Sequence, residues 1–375
     1  MRVIRCDGSP GAIRELHAAL CAMLGGGEAV VPLGPGQPPP PRDPGPGQVV
    51  MATSGSTGQP KWVQLSAAAL GASAAASHGR LGGPGRWLLA LPTQHVAGLQ
   101  VLVRTALAGT LPVVVDLRGG FDPFAFAAAA RRMAGEDGRR YTALVPTQLE
   151  RLLDTNPELL DHFDAVLLGG AAAPEGLLRR AQGAGVRVVT TYGMTETAGG
   201  CVYDGWPLDG IRIRVDGEGS VELAGPVLAS GYLDAPEETA VAFRDGWFRT
   251  CDLGRLDSQG RLQVLGRADD MIVTGGLNVS PAEVEAVLTG LAGVAAACVV
   301  GVPDPEWGQR VTAVVVPTDP GRPPDPVALR VAARRLLTGP QVPKEIVLFD
   351  ALPLRPVGKP DRRVIQTILA ARTNH

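Results

Sequence analysis

The stretch Thr53-Ser54-Gly55-Ser56-Thr57-Gly58-Gln59-Pro60-Lys61 sets two glycines and four hydroxyl residues within nine positions, directly behind the apolar run Val49 to Ala52. A strand that empties into glycines lets successive backbone N–H groups converge on one anion, while the hydroxyls and Lys61 add donors and charge. Such a loop suits a polyphosphate. Its spacing fits neither the Gly-x4-Gly-Lys-Ser/Thr loop nor the GxGxxG fingerprint, and a surface turn has the same composition. Six further motifs toward the C-terminus set it apart from such a turn: Leu91 to Gly98 around His95, Gly169-Gly170-Ala171, Thr191 to Thr197 around Glu196, Thr250-Cys251-Asp252, Gly266 to Asp270, and a late Gly358-Lys359.

In this order the motifs resemble the acyl-adenylate-forming superfamily, over roughly residues 49 to 363. The superfamily includes acyl-CoA and aryl-CoA synthetases, luciferases and the adenylation domains of peptide synthetases. Within it, the short N-terminus and Gly98-Leu99-Gln100-Val101-Leu102-Val103-Arg104 resemble the o-succinylbenzoate:CoA ligases of menaquinone biosynthesis. The resemblance implies an AMP-forming ligase that uses ATP and Mg²⁺ and takes CoA as co-substrate. Activating a carboxylate in this way is mainly positioning and charge neutralisation, because the acid attacks the α-phosphorus as pyrophosphate leaves.

That chemistry assigns an expected role to each motif. The cradle for the β- and γ-phosphates is Thr53, Ser54, Gly55, Ser56, Thr57, Gly58 and Lys61. Glu196, the only carboxylate in its motif, is expected to hold Mg²⁺, a hard cation that prefers oxygen, and Thr195 to bond the α-phosphate. Tyr192 offers an aromatic face to adenine, while Gly169, Gly170 and Ala171 bring bare backbone to the base edge. By the resemblance, Asp252 grips the ribose hydroxyls, although Cys251 stands where the family has glycine. Arg267 contacts ribose or phosphate, and Asp269 is the hinge about which a small domain turns between two orientations. Lys359 serves the first orientation, adenylation. Gly275 and Gly276 serve the second, in which the pantetheine arm of CoA passes them to reach the acyl adenylate.

His95 is expected to position the acid and gate the thiol, since a thiol ionises readily and a mixed anhydride is already activated. Gln100 and Arg104 are four residues apart and share one helical face beyond it. Arg104 carries a guanidinium into an apolar helix, where an unpaired charge is costly. Two partners suit it equally: the second carboxylate of an aromatic dicarboxylic acid, or an internal acidic side chain. Gly199 and Gly200 leave room for a ring. The short segment before the phosphate loop favours a compact ligase for a small acid. Rival readings are another aryl- or short-chain acyl-CoA ligase, a stand-alone enzyme that loads a carrier protein, and a non-catalytic nucleotide-binding module.

Composition bounds these readings. The 375 residues suffice for two domains, and 45% hydrophobic with 19% charged residues is ordinary for a folded enzyme. With 35 basic against 37 acidic residues the net charge is −2, which gives no electrostatic footprint for nucleic acid or an anionic membrane. The partners expected are therefore small molecules, with a homo-oligomer left open. Five widely spaced cysteines without a CxxC suggest neither a disulfide framework nor a zinc site and suit a reducing cytoplasm. Charges near the N-terminus argue against a secretory signal, and the charge-free runs at 62–79 and 286–303 are too polar or too divided by glycine to span a bilayer.

The elements that must position these residues read as an α/β fold. Residues 12–24 have helical spacing, and the Pro- and Gly-rich segment 34–47 reads as a tether. Strand-like runs at 87–91, 112–115, 165–168 and 186–189 alternate with helical stretches at 127–133 and 176–182, predicting a layered large domain. Runs at 210–215, 219–223 and 262–265 between Asp-Gly and Gln-Gly turns predict its β-rich end. Beyond, a helix at 281–288, strands at 298–302 and 311–316, a helix at 328–337 and a strand at 345–348 predict a small, mobile α+β lid. The expected domains are 1–268 and 269–375.

Overall fold

The computed structural model describes residues 1–54, 60–135, 137–354 and 360–373. The chain forms a mixed α/β fold, with a large N-terminal domain and a small C-terminal one. In the large domain a seven-stranded sheet runs, from edge to edge, Trp206–Pro207, Gly199–Tyr203, Val188–Met194, Ala165–Leu168, Arg140–Leu144, Arg86–Leu89 and Val113–Val114. Its last five strands are parallel neighbours. Their near-continuous apolar runs are those of strands covered on both faces. On one side, helices Pro10–Leu24, Ala67–Leu81 and Val96–Leu107 share a core with a second, five-stranded sheet; on the other, helices Pro123–Ala134, Pro146–Thr155 and Glu175–Gly183 pack around Phe126, Leu149 and Leu152.

Local chemistry sets the helix boundaries. Ser66 accepts from the Ala69 N–H at 3.1 Å to start Ala67–Leu81, which ends at Gly82 in the left-handed region with φ of 94°. This helix lacks a clear period in the sequence, being mostly alanine, serine and glycine, so no helix is expected there from spacing alone. The segment 34–47 contains no helix or strand, as its prolines predict, but it is not a loose tether. The Gly47 N–H donates to Gly27 O at 2.8 Å, Arg42 pairs with Asp234 at 2.7 Å and Asp43 with the N-terminal ammonium at 2.6 Å.

The phosphate-loop flanks Gln48–Ser54 and Pro60–Ser66 are antiparallel partners in the second sheet, with Thr53 opposite Lys61 and Ser54 opposite Pro60. Strands Arg212–Val215, Ser220–Ala224, Trp247–Leu256 and Leu262–Arg267 form the β-rich end. The small domain has its own sheet, in which Gly308–Pro317 lies between Val294–Asp304 and Glu345–Leu348, and its own core around Val284, Val299, Ala313 and Leu329. The short turn Ala268–Asp270 lies between strand Leu262–Arg267 and strand Ile272–Thr274, which pairs with Gly308–Pro317.

One histidine gives the large domain a pH response. His78 is half-buried on Ala67–Leu81, and burial together with the positive charge of Arg104 lowers its pKa from 6.5 to about 4. The unfolded chain takes up a proton as pH falls through 6.5 and the folded chain resists it, so this contribution to stability is full above pH 6.5 and lost by about 4. His78→Gln is therefore expected to flatten the fall of Tm across that window. An unaltered Tm profile would assign the titration to other groups.

Candidate active site

Several of the predicted nucleotide residues that are described lie where the parallel strands end at their carboxyl termini, the usual crevice in such sheets. Leu168 pairs with Thr190 on the neighbouring strand, so Gly169, Gly170 and Ala171 emerge beside Thr191 and Tyr192. Gly193 has φ of 157°, and a Cβ there would lie 2.2 Å from the Gly199 carbonyl oxygen. The hairpin that carries Thr195 and Glu196 can close only over glycine. After the one-turn helix Thr195–Thr197, Ala198 adopts a left-handed φ of 49°. Two side chains pin its carbonyl: Gln100 Nε2 at 2.7 Å and Ser73 Oγ at 3.0 Å.

Tyr192 donates its hydroxyl to Asp252 Oδ2 at 2.7 Å. Burial and that carboxylate push the phenol far above its ordinary range, so it is a permanent donor. Asp252 also faces Arg267, its cross-strand partner, whose Nη1 lies 3.7 Å from Oδ1. The same guanidinium forks onto Asp269, Nε to Oδ1 at 2.7 Å and Nη2 to Oδ2 at 2.8 Å. Those bonds raise its pKa and lower that of Asp269. The expected ribose acceptor, the expected nucleotide cation and the expected hinge are thus one connected group.

Glu196 lies across the site. Burial pushes its carboxyl above the usual carboxylate range, against the pull of the Tyr232 hydroxyl, Lys61 and Arg267. Tyr232 donates to Oε1 at 3.1 Å, and Lys61 Nζ sits 4.9 Å from the centre of the Tyr232 ring. Sequence reasoning missed Tyr232, since a lone tyrosine after Ser230-Gly231 reads as core. Among the described residues no group of three or more His, Cys, Asp or Glu side chains could hold a metal ion. Glu196 nonetheless fits magnesium, because that ion keeps waters and substrate phosphates and needs only one or two carboxylates. Of the cradle, Thr53 donates Oγ1 to the Lys61 carbonyl at 3.3 Å, whereas Gly55, Ser56, Thr57 and Gly58 lie outside the described residues, as does Lys359.

His95 is the half-buried N-cap of helix Val96–Leu107. Gly98 fixes its approach: a Cβ there would meet the Pro92 carbonyl oxygen at 2.3 Å, so no other residue lets the helix start this close to the preceding turn. Gln100 is 1% exposed and lies against Gly199, with Oε1 unpartnered among the described residues. Gly200 packs on Thr191 and Tyr203. Arg104 is 3% exposed. No carboxylate pairs with it among the described residues; Nη2 donates to Ser77 Oγ at 3.2 Å and Tyr203 Oη at 3.3 Å, the guanidinium stacks 4.8 Å from the Trp87 ring centre, and Nε finds no hydrogen-bond partner. Gly275 and Gly276 form the turn between Ile272–Thr274 and Leu277–Val279 in the small domain, with Gly275 N–H bonded to Trp307 O at 2.9 Å.

Residues 13–233 match the family described as AMP-binding enzyme, and 283–359 its C-terminal domain. The chain belongs to the AMP-binding enzyme family. It is 48% identical over 322 residues to a probable 2-succinylbenzoate–CoA ligase of Mycobacterium tuberculosis, covering 84% of this chain and 83% of that one. It is 36% identical to the 2-succinylbenzoate–CoA ligase of Geobacillus kaustophilus, covering 85% and 69%. Among solved structures it resembles the o-succinylbenzoate CoA synthetase of Bacillus subtilis in complex with its acyl-adenylate intermediate, at TM-score 0.75 and 30% identity over 85% of this chain and 68% of that one. The same synthetase is known with ATP and magnesium ion, at TM-score 0.74 and 30% identity over 84% and 69%. The chain is thus an AMP-forming acyl-CoA ligase by family.

Proposed function

We propose that this protein makes o-succinylbenzoyl-CoA from o-succinylbenzoate and CoA, through an acyl adenylate, in menaquinone biosynthesis. The observation that carries the choice of acid is Arg104, a buried cation among neutral partners. A guanidinium that has left water needs an anion, and a dicarboxylic acid brings one to spare. The relatives named for this acid support the same reading.

In the first half-reaction one carboxylate oxygen of the acid attacks the α-phosphorus, and the bond to pyrophosphate breaks. Asp252, held by Tyr192, accepts the ribose hydroxyls. Lys61 and Thr195 bind phosphate oxygens, and Glu196 would hold Mg²⁺, whose charge would offset that of the phosphates. His95 aligns the acid. The small domain then turns at Asp269, giving a boundary between 268 and 269, and Gly275 and Gly276 admit the pantetheine arm. The thiol attacks the acyl carbon and AMP leaves. We place the reaction in the cytoplasm, where the free thiols of Cys6, Cys21, Cys201, Cys251 and Cys298 are stable.

The reading is tested by an ATP-dependent thioester assay over o-succinylbenzoate, benzoates and medium-chain acids. o-Succinylbenzoate should be the preferred acid, with its succinyl carboxylate activated; a strong preference for another acid would remove the assignment. Arg104→Leu should lower kcat/KM for o-succinylbenzoate about 10- to 100-fold more than for an analogue lacking the benzoate carboxylate, the worth of one charge-assisted contact. Equal losses would make Arg104 structural.

A further inference from the structure

Tyr232 stands between the two charges that the proposed mechanism needs on the phosphates. Its hydroxyl reaches Glu196 Oε1 at 3.1 Å, and its ring lies beneath Lys61 Nζ at 4.9 Å. Among the described residues it is the one side chain that donates to the Glu196 carboxylate. Its own position is fixed from several sides. Tyr232 pairs with Val63 in the phosphate-loop sheet, and its N–H donates to Thr239 Oγ1 at 2.9 Å. Its ring meets Phe243 edge-on at 5.7 Å, and Phe243 stacks on Phe248 at 4.8 Å. Next to it, the Ala229 N–H bonds the Glu196 carbonyl at 2.8 Å, so backbone and side chain of Glu196 are both tied to one short segment.

We propose that Tyr232 is a positioning residue for the metal site: it fixes one oxygen of Glu196 and the lateral position of Lys61, leaving the other carboxylate oxygen for magnesium. This rests on the reading of Glu196 as the magnesium carboxylate. A buried tyrosine serving only the core would hold Phe243 and need no acceptor for its hydroxyl beyond any convenient carbonyl. Here the acceptor is the carboxylate of the metal motif, reached across 36 residues of sequence. One phenol thus touches both the carboxylate and the ammonium, so the geometry offered to Mg²⁺ and that offered to the phosphates are set together.

Tyr232→Phe keeps the ring under Lys61 and against Phe243 and deletes the hydroxyl alone. Binding of the non-cleavable nucleotide α,β-methylene-ATP is measured by calorimetry, with magnesium and with EDTA. Tyr232→Phe is expected to weaken binding with magnesium about tenfold, the effect of one hydrogen bond to a charged group, and to leave binding in EDTA within about twofold, with Tm little changed. Glu196→Gln should remove most of the magnesium-dependent affinity, and the double variant should be no weaker than Glu196→Gln alone. Unchanged binding by Tyr232→Phe, equal loss in both conditions, or additive losses in the double variant would overturn the proposal while Glu196 keeps its role. Full magnesium dependence in Glu196→Gln would overturn the metal reading itself, and the proposal with it.

Discussion

Lys359→Ala is expected to lower acyl-adenylate formation by about two to three orders of magnitude, the scale seen when one preorganised charge is removed from a developing anion. Thioester formation from supplied acyl adenylate should persist within a few-fold, because the proposed cycle runs that half-reaction in the other orientation of the small domain. Lys359 lies outside the described residues, and the described chain resumes at Pro360. Arg362, three residues on, forks onto Glu285 at 2.5 and 2.9 Å, donates to Val299 O at 2.6 Å and lies 3.7 Å from Asp270 in the turn between the domains. Pyrophosphate exchange reads the first half-reaction and release of AMP from acyl adenylate the second. Parallel losses in both would contradict a two-orientation enzyme.

Asp252→Ala should weaken ATP binding by about two orders of magnitude, the sum of two ribose hydroxyl contacts to a carboxylate at ~1.5 kcal/mol each. It also strands the Tyr192 hydroxyl, whose acceptor at 2.7 Å is Asp252, and leaves Arg267 facing Asp269 alone. Affinity for ATP and for AMP should fall together, since both carry the ribose, whereas inorganic pyrophosphate binding should not move. Titration calorimetry with the three ligands separates these outcomes. Undiminished affinity for AMP would return Asp252 to the fold.

The layered α/β plan was legible because buried parallel strands such as Ala165–Leu168 are short apolar runs bounded by turn residues. The motifs of the proposed nucleotide site stood out for a related reason, as glycine, hydroxyl and carboxylate residues cluster within a few positions there. Side-chain partnerships across sequence were not. That Tyr192 would bond Asp252, or Tyr232 reach Glu196, depends on segments 60 and 36 residues apart coming together. Arg104 shows the same limit in reverse: its burial followed from an apolar helix, but its neutral setting of Ser77, Tyr203 and Trp87 comes from three separate elements. The helix Ala67–Leu81 escaped notice because alanine and serine pack on either face without marking one.

The fork of Arg267 onto Asp269 makes timing a matter of one guanidinium. Two of its nitrogens are engaged at the turn between the domains, while the third faces the carboxylate proposed to receive ribose. Because the three nitrogens lie in one rigid plane, a shift of the two held by Asp269 also shifts the one that faces Asp252. In the proposed cycle, with Asp269 as the pivot and the nucleotide beside Asp252, motion at one is felt at the other through this guanidinium, the escapement of a two-stroke cycle.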